Sequence, residues 1–354
     1  MQTKTSLTAA AVAAILVLAV AAGCGGSGKT STGGVAGARK TTSGTLVGAG
    51  STLVAPLVAQ WQGPYSAAHG VTVSYGAIGS GGGVEQITGR TVDFGASDAP
   101  LTPDQAKACA GCVQIPWALA ATTVSYDVPG VTKPLRLSGP LIADMYLGTI
   151  RAWNEPRIRR LNPGVDLPST PVRPVYRSDA SGDTYAFTDF LSRVSPRWRS
   201  KVGGASTAVS WPAGEGAAKN SGVAAAVRST PGAVGYVAVS NALGAKLDFA
   251  AVENRAGAFV RPSTKTVAAA AAHDARFRRD NSASIVDPPR SAKHAYPIST
   301  FTYAIVPRSS QKLATLKAFL TYAITSGQRF AAALDFAPLP QNVVARDRSI
   351  VGHL

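Results

Sequence analysis

Residues 71–98 read VTVSYGAIGSGGGVEQITGRTVDFGASD. Val71, Val73 and Tyr75 alternate with smaller or polar neighbours, the period of a strand with one buried face. Gly79-Ser80-Gly81-Gly82-Gly83 then forms a loop that enters a helix, and Thr91-Val92-Asp93-Phe94 predicts a short strand ending at Ala96-Ser97-Asp98. Strand, turn, helix and strand make the repeating unit of α/β sheets, whose ligand loops lie at strand ends. The same grammar extends both ways. Upstream, the turn Gly48-Ala49-Gly50-Ser51-Thr52 leads into Val54, Leu57, Val58, Trp61 and Tyr65 at helical spacing. Downstream, Thr102-Pro103-Asp104-Gln105 is a capping box with Pro at the first helical position. Thr122–Val128 and Val172–Tyr176 predict further strands. Ser181 opens a helix whose Phe187, Phe190, Leu191 and Val194 share a face, and Leu313, Leu316, Phe319, Leu320 and Ala323 do the same before Gly327 stops them. No repeat of fixed period is present.

The 354 residues exceed one ordinary core and suit two domains. Apolar residues make up 45% and charged residues 15%, with 36 Gly and 23 Pro, which excludes a highly charged disordered chain and a coiled coil. Lys and Arg outnumber Asp and Glu by 35 to 19, so the partners or surroundings are expected to be anionic. Four scattered His and three Cys leave little material for a metal centre or a His-based triad. No metal or cofactor is expected.

The N-terminus sets the compartment. Residues 1–23 carry Lys4 and an apolar run from Ala9 to Ala22, which reads as an export signal too short for a confident membrane span. Cys24 follows small residues as in a lipobox, although Ala21 stands where such boxes usually have Leu. The pattern favours acylation of Cys24 over plain secretion or an uncleaved anchor. Residues 24–44 are Gly, Ser, Thr and Ala with a few cations, a flexible tether. Gly23-Cys24-Gly25-Gly26-Ser27-Gly28-Lys29-Thr30 matches a phosphate-binding loop letter for letter, but neither strand nor helix flanks it, so the match is rejected. Cys109 and Cys112 form a C-x-x-C. Zinc would need two further ligands, and outside the cytoplasm a small disulfide is preferred over a redox pair or two free thiols.

Three segments place a hydroxyl residue beside Gly at a helix start: Gly50-Ser51-Thr52-Leu53, Gly79-Ser80-Gly81-Gly82 and Ser181-Gly182-Asp183-Thr184. A helix N-terminus offers unpaired N–H donors and partial positive charge, and the hydroxyls add donors. With Arg177 before the third segment, whose planar fork grips two oxygens, they describe a cage for a tetrahedral oxyanion.

These segments also carry a resemblance. Gly48–Leu53, Tyr75–Val84, Val92–Leu101, Met145–Ile150 with Trp153, Arg177–Asp183, Gly232–Tyr236 and Tyr296–Ser299 occur in the order found in the phosphate-specific solute-binding proteins of ABC importers, the PstS family. The resemblance covers nearly the whole mature chain. It implies a two-lobed periplasmic-binding-protein fold of type II, a Venus flytrap with a hinge, with residues 45–122 and 301–354 in lobe 1 and 123–300 in lobe 2. It implies a monomer outside the cytoplasm that binds inorganic phosphate, hands it to ABC permease subunits in the membrane, and has no catalytic residue. Thr52, Leu53 and Ser80 would donate from the first two loops. Asp98 would accept the proton that phosphate carries. Arg177 would bind the oxyanion charge with Asp179 steering its guanidinium, while Ser181 and Gly182 donate at the helix start. Chemistry explains the choice of ion: a buried carboxylate repels a fully deprotonated oxyanion but accepts a charge-assisted hydrogen bond from P–OH.

Three positions depart from the family pattern. Leu53 replaces a frequent Phe, which leaves its backbone donor unchanged. Gly81 replaces a second Ser found in some relatives, losing a donor. Asp183 stands where Thr is common, and two readings stay open. It is either a first-turn acid favoured by the helix dipole or a second proton acceptor that biases the site toward the monobasic anion. Two other functional classes were weighed. An exported phosphatase or phosphate-ester-binding protein would need an activated nucleophile or metals, and no such cluster shows in the sequence. The basic stretches Arg157–Arg160, Arg197–Lys201 and Arg276–Arg279 come without any nucleic-acid motif and read as solvated faces that attract anions.

Overall fold

The computed structural model describes residues 44–274 and 276–354; the export-like segment, Cys24 and the rejected phosphate-loop match lie outside the described residues. In chain order the strands are β1 (Gly44–Gly50), β2 (Val71–Ala77), β3 (Phe94–Ser97), β4 (Cys112–Tyr126), β5 (Arg136–Leu137), β6 (Arg173–Arg177), β7 (Glu215–Ala217), β8 (Ala233–Ala238), β9 (Asp248–Phe249), β10 (Ala251–Glu253), β11 (Phe259–Val260) and β12 (Ser299–Pro307). A nine-stranded sheet runs β2-β1-β3-β12-β4-β8-β6-β7, with β9 added to β4, and β11-β10-β5 form a small second sheet. β1 is parallel to β2 and β3, and β6 is parallel to β7 and β8, whereas β12 and β4 pair antiparallel to their neighbours.

β4 organises the molecule. Its first part, from Cys112 to Ala121, pairs with β12, and Thr122 to Tyr126 pair with β8. One strand therefore serves two groups of strands, and the sheet divides into two lobes about it. The sequence pattern placed a strand only from Thr122; it begins at Cys112. Residues 113–126 are buried without interruption, so the in-and-out alternation that marks a half-buried strand is missing. Pro116 is tolerated because the register shifts there: Thr302 pairs with Ala118 and Tyr303 with Pro116, leaving Trp117 as the extra residue of a bulge.

Other boundaries also move. The strand expected from Thr91 starts at Phe94, because Arg90 takes a left-handed φ of 57° and Asp93 turns back to accept the N–H of Val47 at 2.8 Å. β6 covers Arg173–Arg177, one residue later than the pattern suggested. Helix Leu313–Ile324 ends before Gly327, which lies in a 3-10 turn where its carbonyl accepts the Trp61 indole N–H at 2.9 Å. The capping box at Thr102 forms with both reciprocal hydrogen bonds.

Each lobe has an aromatic core. Trp61 and Tyr65 of helix Ala55–His69 meet Trp117 and Phe319, with Trp61 and Trp117 centroids 5.3 Å apart and Tyr65 and Phe319 5.1 Å apart, and Phe94 packs on the same Trp117 and Phe319. The chain's late helix thus covers its first strands. In the other lobe Tyr146, Phe187, Trp211 and Tyr236 stack, Phe187 and Tyr236 at 4.5 Å. Fully burying each large apolar side chain contributes roughly 1.5–3 kcal/mol. The glycine run has a packing reason as well. A Cβ at Gly83 would fall 2.5 Å from Gly50 Cα and 2.9 Å from the Ala96 carbonyl oxygen, so only Gly lets helix Ser80–Thr88 lie directly on the ends of β1 and β3.

Candidate anion-binding site

Helices Ala55–His69, Ser80–Thr88, Gly182–Val194 and Lys219–Ser229 follow β1, β2, β6 and β7 respectively, and residues at their starts are joined by hydrogen bonds. Their unpaired N–H groups and positive dipole ends therefore share one region.

Asp98 lies just past β3 and is 2% exposed. The Ser51 hydroxyl donates to it at 2.7 Å, Thr302 at 2.7 Å and Ser80 at 3.3 Å. Among the described residues it has no ion-pair partner. Burial, then the negative charge of Asp183, push its pKa up to about 7, against the hydroxyls of Ser51 and Thr302 and the charge of Arg177. The Ser51 oxygen also accepts the N–H groups of Leu53 and Val54 at 3.1 and 3.3 Å, so one hydroxyl ties the carboxylate to the first helix start.

Arg177 ends β6 and is buried. Its Nε and Nη2 donate to the two oxygens of Asp179 at 2.8 and 2.5 Å, and Nη1 donates to Asp183 at 3.1 Å. Burial works to raise the Asp179 pKa, but the hydrogen bonds and charge of Arg177 and the N–H of Lys219 hold it below the usual range. Asp183 sits in the first turn of helix Gly182–Val194 and accepts from Thr122 at 2.8 Å and Asn220 at 2.7 Å as well. Burial raises its pKa, opposed by Arg177, Asn220 and Thr122 in that order. Of these two carboxylates, Asp98 and Asp183, the first lacks a cation in contact and the second holds one. Burial is thus offset by a bonded cation at Asp183 and not at Asp98.

Thr52 Oγ1 accepts from Asn220 Nδ2 at 2.9 Å, and the Gly182 N–H donates to Ser80 Oγ at 3.1 Å. Ser181 caps its helix by accepting from the N–H groups of Asp183 and Thr184 at 3.1 and 3.4 Å, which leaves its own hydroxyl hydrogen to donate. Leu53 has a wholly buried side chain and reaches the network through its backbone alone. Thr52, Leu53, Ser80, Asp98, Arg177, Asp179, Ser181, Gly182 and Asp183 thus lie in two hydrogen-bonded clusters joined across the helix starts. The sequence reading overlooked Ser51 as a donor, together with Thr122, Asn220 and Thr302. Thr122 and Thr302 are hydroxyls inside buried strands and Asn220 lies at a helix start, positions where the sequence carries no local sign of a role in the site.

Elsewhere, Cys109 and Cys112 are joined in a disulfide (Sγ–Sγ 2.01 Å), beside which Arg90 donates to the carbonyls of Ile87, Cys109 and Ala110. Arg157 and Arg197, from two of the basic stretches, both pair with the nearly buried Asp144, at 2.7 and 3.1 Å. Among the described residues no helix is long and apolar enough to cross a membrane, and no group of three or more His, Cys, Asp or Glu could hold a metal ion.

Known proteins match this architecture. The PBP superfamily domain matches residues 36–326. The phosphate-binding protein PstS of Xylella fastidiosa strain Temecula1 is 39% identical over 295 residues, which span 82% of this chain and 80% of that protein. The protein of the same name from Haemophilus influenzae is 36% identical over 299 residues, 83% of this chain and 88% of that one. Two solved structures share the fold at low identity. The periplasmic phosphate-binding protein PfluDING with bound phosphate aligns with a TM-score of 0.67 at 20% identity, over 86% of this chain and 93% of that one. The phosphate binding protein of Stenotrophomonas maltophilia aligns with a TM-score of 0.65 at 19% identity, over the same shares. The expected two-lobed periplasmic-binding fold is therefore the fold observed, and with this degree of identity over four-fifths of its length the chain belongs to the PstS family of phosphate-binding proteins.

Proposed function

We propose that the chain binds inorganic phosphate between its lobes and delivers it to an ABC-type importer, without catalysis. The observation that carries this reading is Asp98, a buried carboxylate among hydroxyl donors that no cation touches among the described residues. Such a group accepts a P–OH hydrogen and repels an anion that has none to give. Phosphate keeps a proton near neutral pH and sulfate does not. The hydroxyls of Thr52 and Ser181 have hydrogens to donate to the remaining oxygens; on binding, the Ser80 hydroxyl and the N–H groups of Leu53 and Gly182 exchange their bonds to Asp98, Ser51 and Ser80 for bonds to the ligand, and Arg177 supplies the positive charge.

Charge balance sharpens the reading. Asp179 and Asp183 both bond the single guanidinium of Arg177, and the carboxylate of Asp98 is near enough to feel its charge without touching it. With all three ionised the site is already anionic, so an incoming phosphate binds best when protons remain on the ligand or on Asp98. Asp183, ion-paired with Arg177 and held by two further donors, acts through charge rather than by taking the ligand's proton. Domain closure follows from β4: we place the hinge where its partner changes, with residues 45–122 and 301–354 in one lobe and 123–300 in the other. Outside the described residues, the run ending at Cys24 supports export and acylation of that cysteine, with the chain from there as the tether to the outer face of the membrane; Gly44, expected at the tether's end, already belongs to β1.

A ligand-stability screen tests the proposal. Micromolar phosphate should raise the melting temperature of ligand-stripped protein, arsenate should do so as well, and sulfate and phosphate esters should not. Equal stabilisation by sulfate, or none by phosphate, would overturn it, and turnover of a generic phosphate ester would favour an enzyme.

A further inference from the structure

We propose that Asn220 is a positioning residue that fixes Thr52 as a hydrogen-bond donor toward the bound anion and latches the two sides of the cleft together. The inference rests on the phosphate reading above and extends it to a residue the cage does not contain. Asn220 is 0% exposed, at the second position of helix Lys219–Ser229. Its Oδ1 accepts the backbone N–H of Ala238 at 2.7 Å. A backbone N–H can only donate, so the carboxamide has one permitted orientation and its NH2 end must face the other way. There Nδ2 donates to Asp183 Oδ2 at 2.7 Å and to Thr52 Oγ1 at 2.9 Å. Both amide hydrogens are used.

The consequence for Thr52 is one of polarity. A hydroxyl that accepts from an NH2 group keeps its single hydrogen for another acceptor. Among the described residues Thr52 makes no second side-chain hydrogen bond, so that hydrogen is available to an anionic oxygen. Asn220 thereby makes Thr52 a donor without touching the ligand itself. Thr52 belongs to the turn after β1, whereas Asp183 and Asn220 belong to helices that follow β6 and β7. One buried amide spans both sides. The adjoining residue adds to this: Lys219, at a left-handed φ of 63°, directs its N–H to Asp179 Oδ1 at 2.8 Å. A single turn holds both carboxylates that bracket Arg177.

The test is phosphate binding by the full-length chain and its variants, followed by calorimetry and stopped-flow fluorescence at several pH values. Asn220→Ala should weaken phosphate binding about 10- to 100-fold, the range for losing a hydrogen bond to a charged group, with the loss in faster release rather than slower association. In a Thr52→Val background the same substitution should cost under about threefold, because its target hydroxyl is gone. Asn220→Asp should be the more damaging at pH 8, since a carboxylate would accept the Thr52 hydrogen, and should recover at pH 5.5 as that carboxyl is protonated. A purely structural role would move the ligand-free melting temperature, act additively with Thr52→Val and show no such recovery. Should Asn220→Ala fail to fold, Asn220→Ser, which keeps an acceptor near Ala238 but cannot reach Thr52, takes its place. Wild-type protein that binds phosphate beside variants of unchanged affinity would overturn this inference alone. Wild-type protein that ignores phosphate would overturn the function on which it stands.

Discussion

A Cβ built on Gly182 would lie 2.4 Å from the Cβ of Asp98 and 2.6 Å from its Oδ2. The residue that starts the helix after β6 and the carboxylate that follows β3 are therefore in backbone-to-side-chain contact, and no side chain fits between them. The closeness brings the Gly182 N–H within reach of Ser80 at 3.1 Å and puts a helix N-terminus against the Asp98 carboxylate. It also makes the closed site unusually sensitive to a single methyl group.

Gly182→Ala should bind phosphate about 100-fold more weakly, the scale expected when groups of a tight site are displaced by about 1 Å. The ligand-free melting temperature, measured alongside, separates a clash confined to the bound form from one that also strains the free protein. Calorimetry gives the affinity, and solution scattering should show the variant remaining open at saturating phosphate. Wild-type affinity in this variant would mean that the contact is not part of the bound form.

Asp98→Asn removes the negative charge and supplies an NH2 donor in the same place. Phosphate affinity near pH 7 should fall about 10- to 100-fold, while sulfate, no longer repelled, becomes measurable. The quantity to follow is the ratio of the two dissociation constants. An unchanged ratio would show that selectivity resides elsewhere.

Asp183→Thr tests the coupling between the buried acids. The Asp183 charge is the second-largest cause of the raised Asp98 pKa of about 7, so its removal lowers that pKa and leaves Asp98 more ionised at neutral pH. Wild-type affinity should therefore fall more steeply between pH 6.5 and 8.5, and phosphate binding near pH 8 should take up more protons than in the variant. Titration in buffers of different ionisation enthalpy measures that uptake. Parallel pH profiles would show that the carboxylate of Asp183 serves only the helix dipole and the Arg177 pair.

A second buried acid, remote from the cleft in sequence, bears on stability alone. Asp347, in helix Gln341–Gly352, is 0% exposed, neither of its oxygens has a hydrogen-bond partner among the described residues, and burial outweighs the neighbouring Arg346 to push its pKa up to about 8. An unfolded Asp titrates near 4. Between about pH 4 and about 8 the folded chain keeps a proton that the unfolded chain has lost, so this group's contribution to stability falls as pH rises through that window and levels off above it. The slope is at most about 1.4 kcal/mol per pH unit. Asp347→Asn should melt close to wild type at pH 5 and several degrees higher at pH 8, a gain of about 1–3 kcal/mol, because a buried neutral amide costs less than a buried charge. Identical melting curves at pH 8 would sink the assignment.

Much of the site was readable residue by residue. Ser80, Asp98 and the run Arg177 to Asp183 stand at loop-to-helix junctions, and Gly beside a hydroxyl is a local signal with a local cause: open N–H groups and a backbone that can approach closely. Thr122, Thr302 and Asn220 were not readable in the same way. Thr122 and Thr302 sit in strands buried throughout, where a hydroxyl means only a satisfied polar group until its partner is known. Asn220 gains its role from Ala238, Thr52 and Asp183, and the nearest of these lies 18 positions away along the chain.

What the sequence alone determined was the local chemistry: the alternation of strands and helices, the capped helix starts, the surplus of cations and the ordered segments that mark the family. Each follows from neighbours within a few residues, where propensity, periodicity and hydrogen-bond capacity act directly. The tertiary structure alone decided which partners those groups meet. It carried β4 as one buried strand through both lobes, bracketed one guanidinium between two carboxylates with a third nearby, and set Gly182 against Asp98. Such outcomes depend on long-range pairing and on burial, and the pKa of a carboxyl is a property of that surrounding rather than of the residue itself.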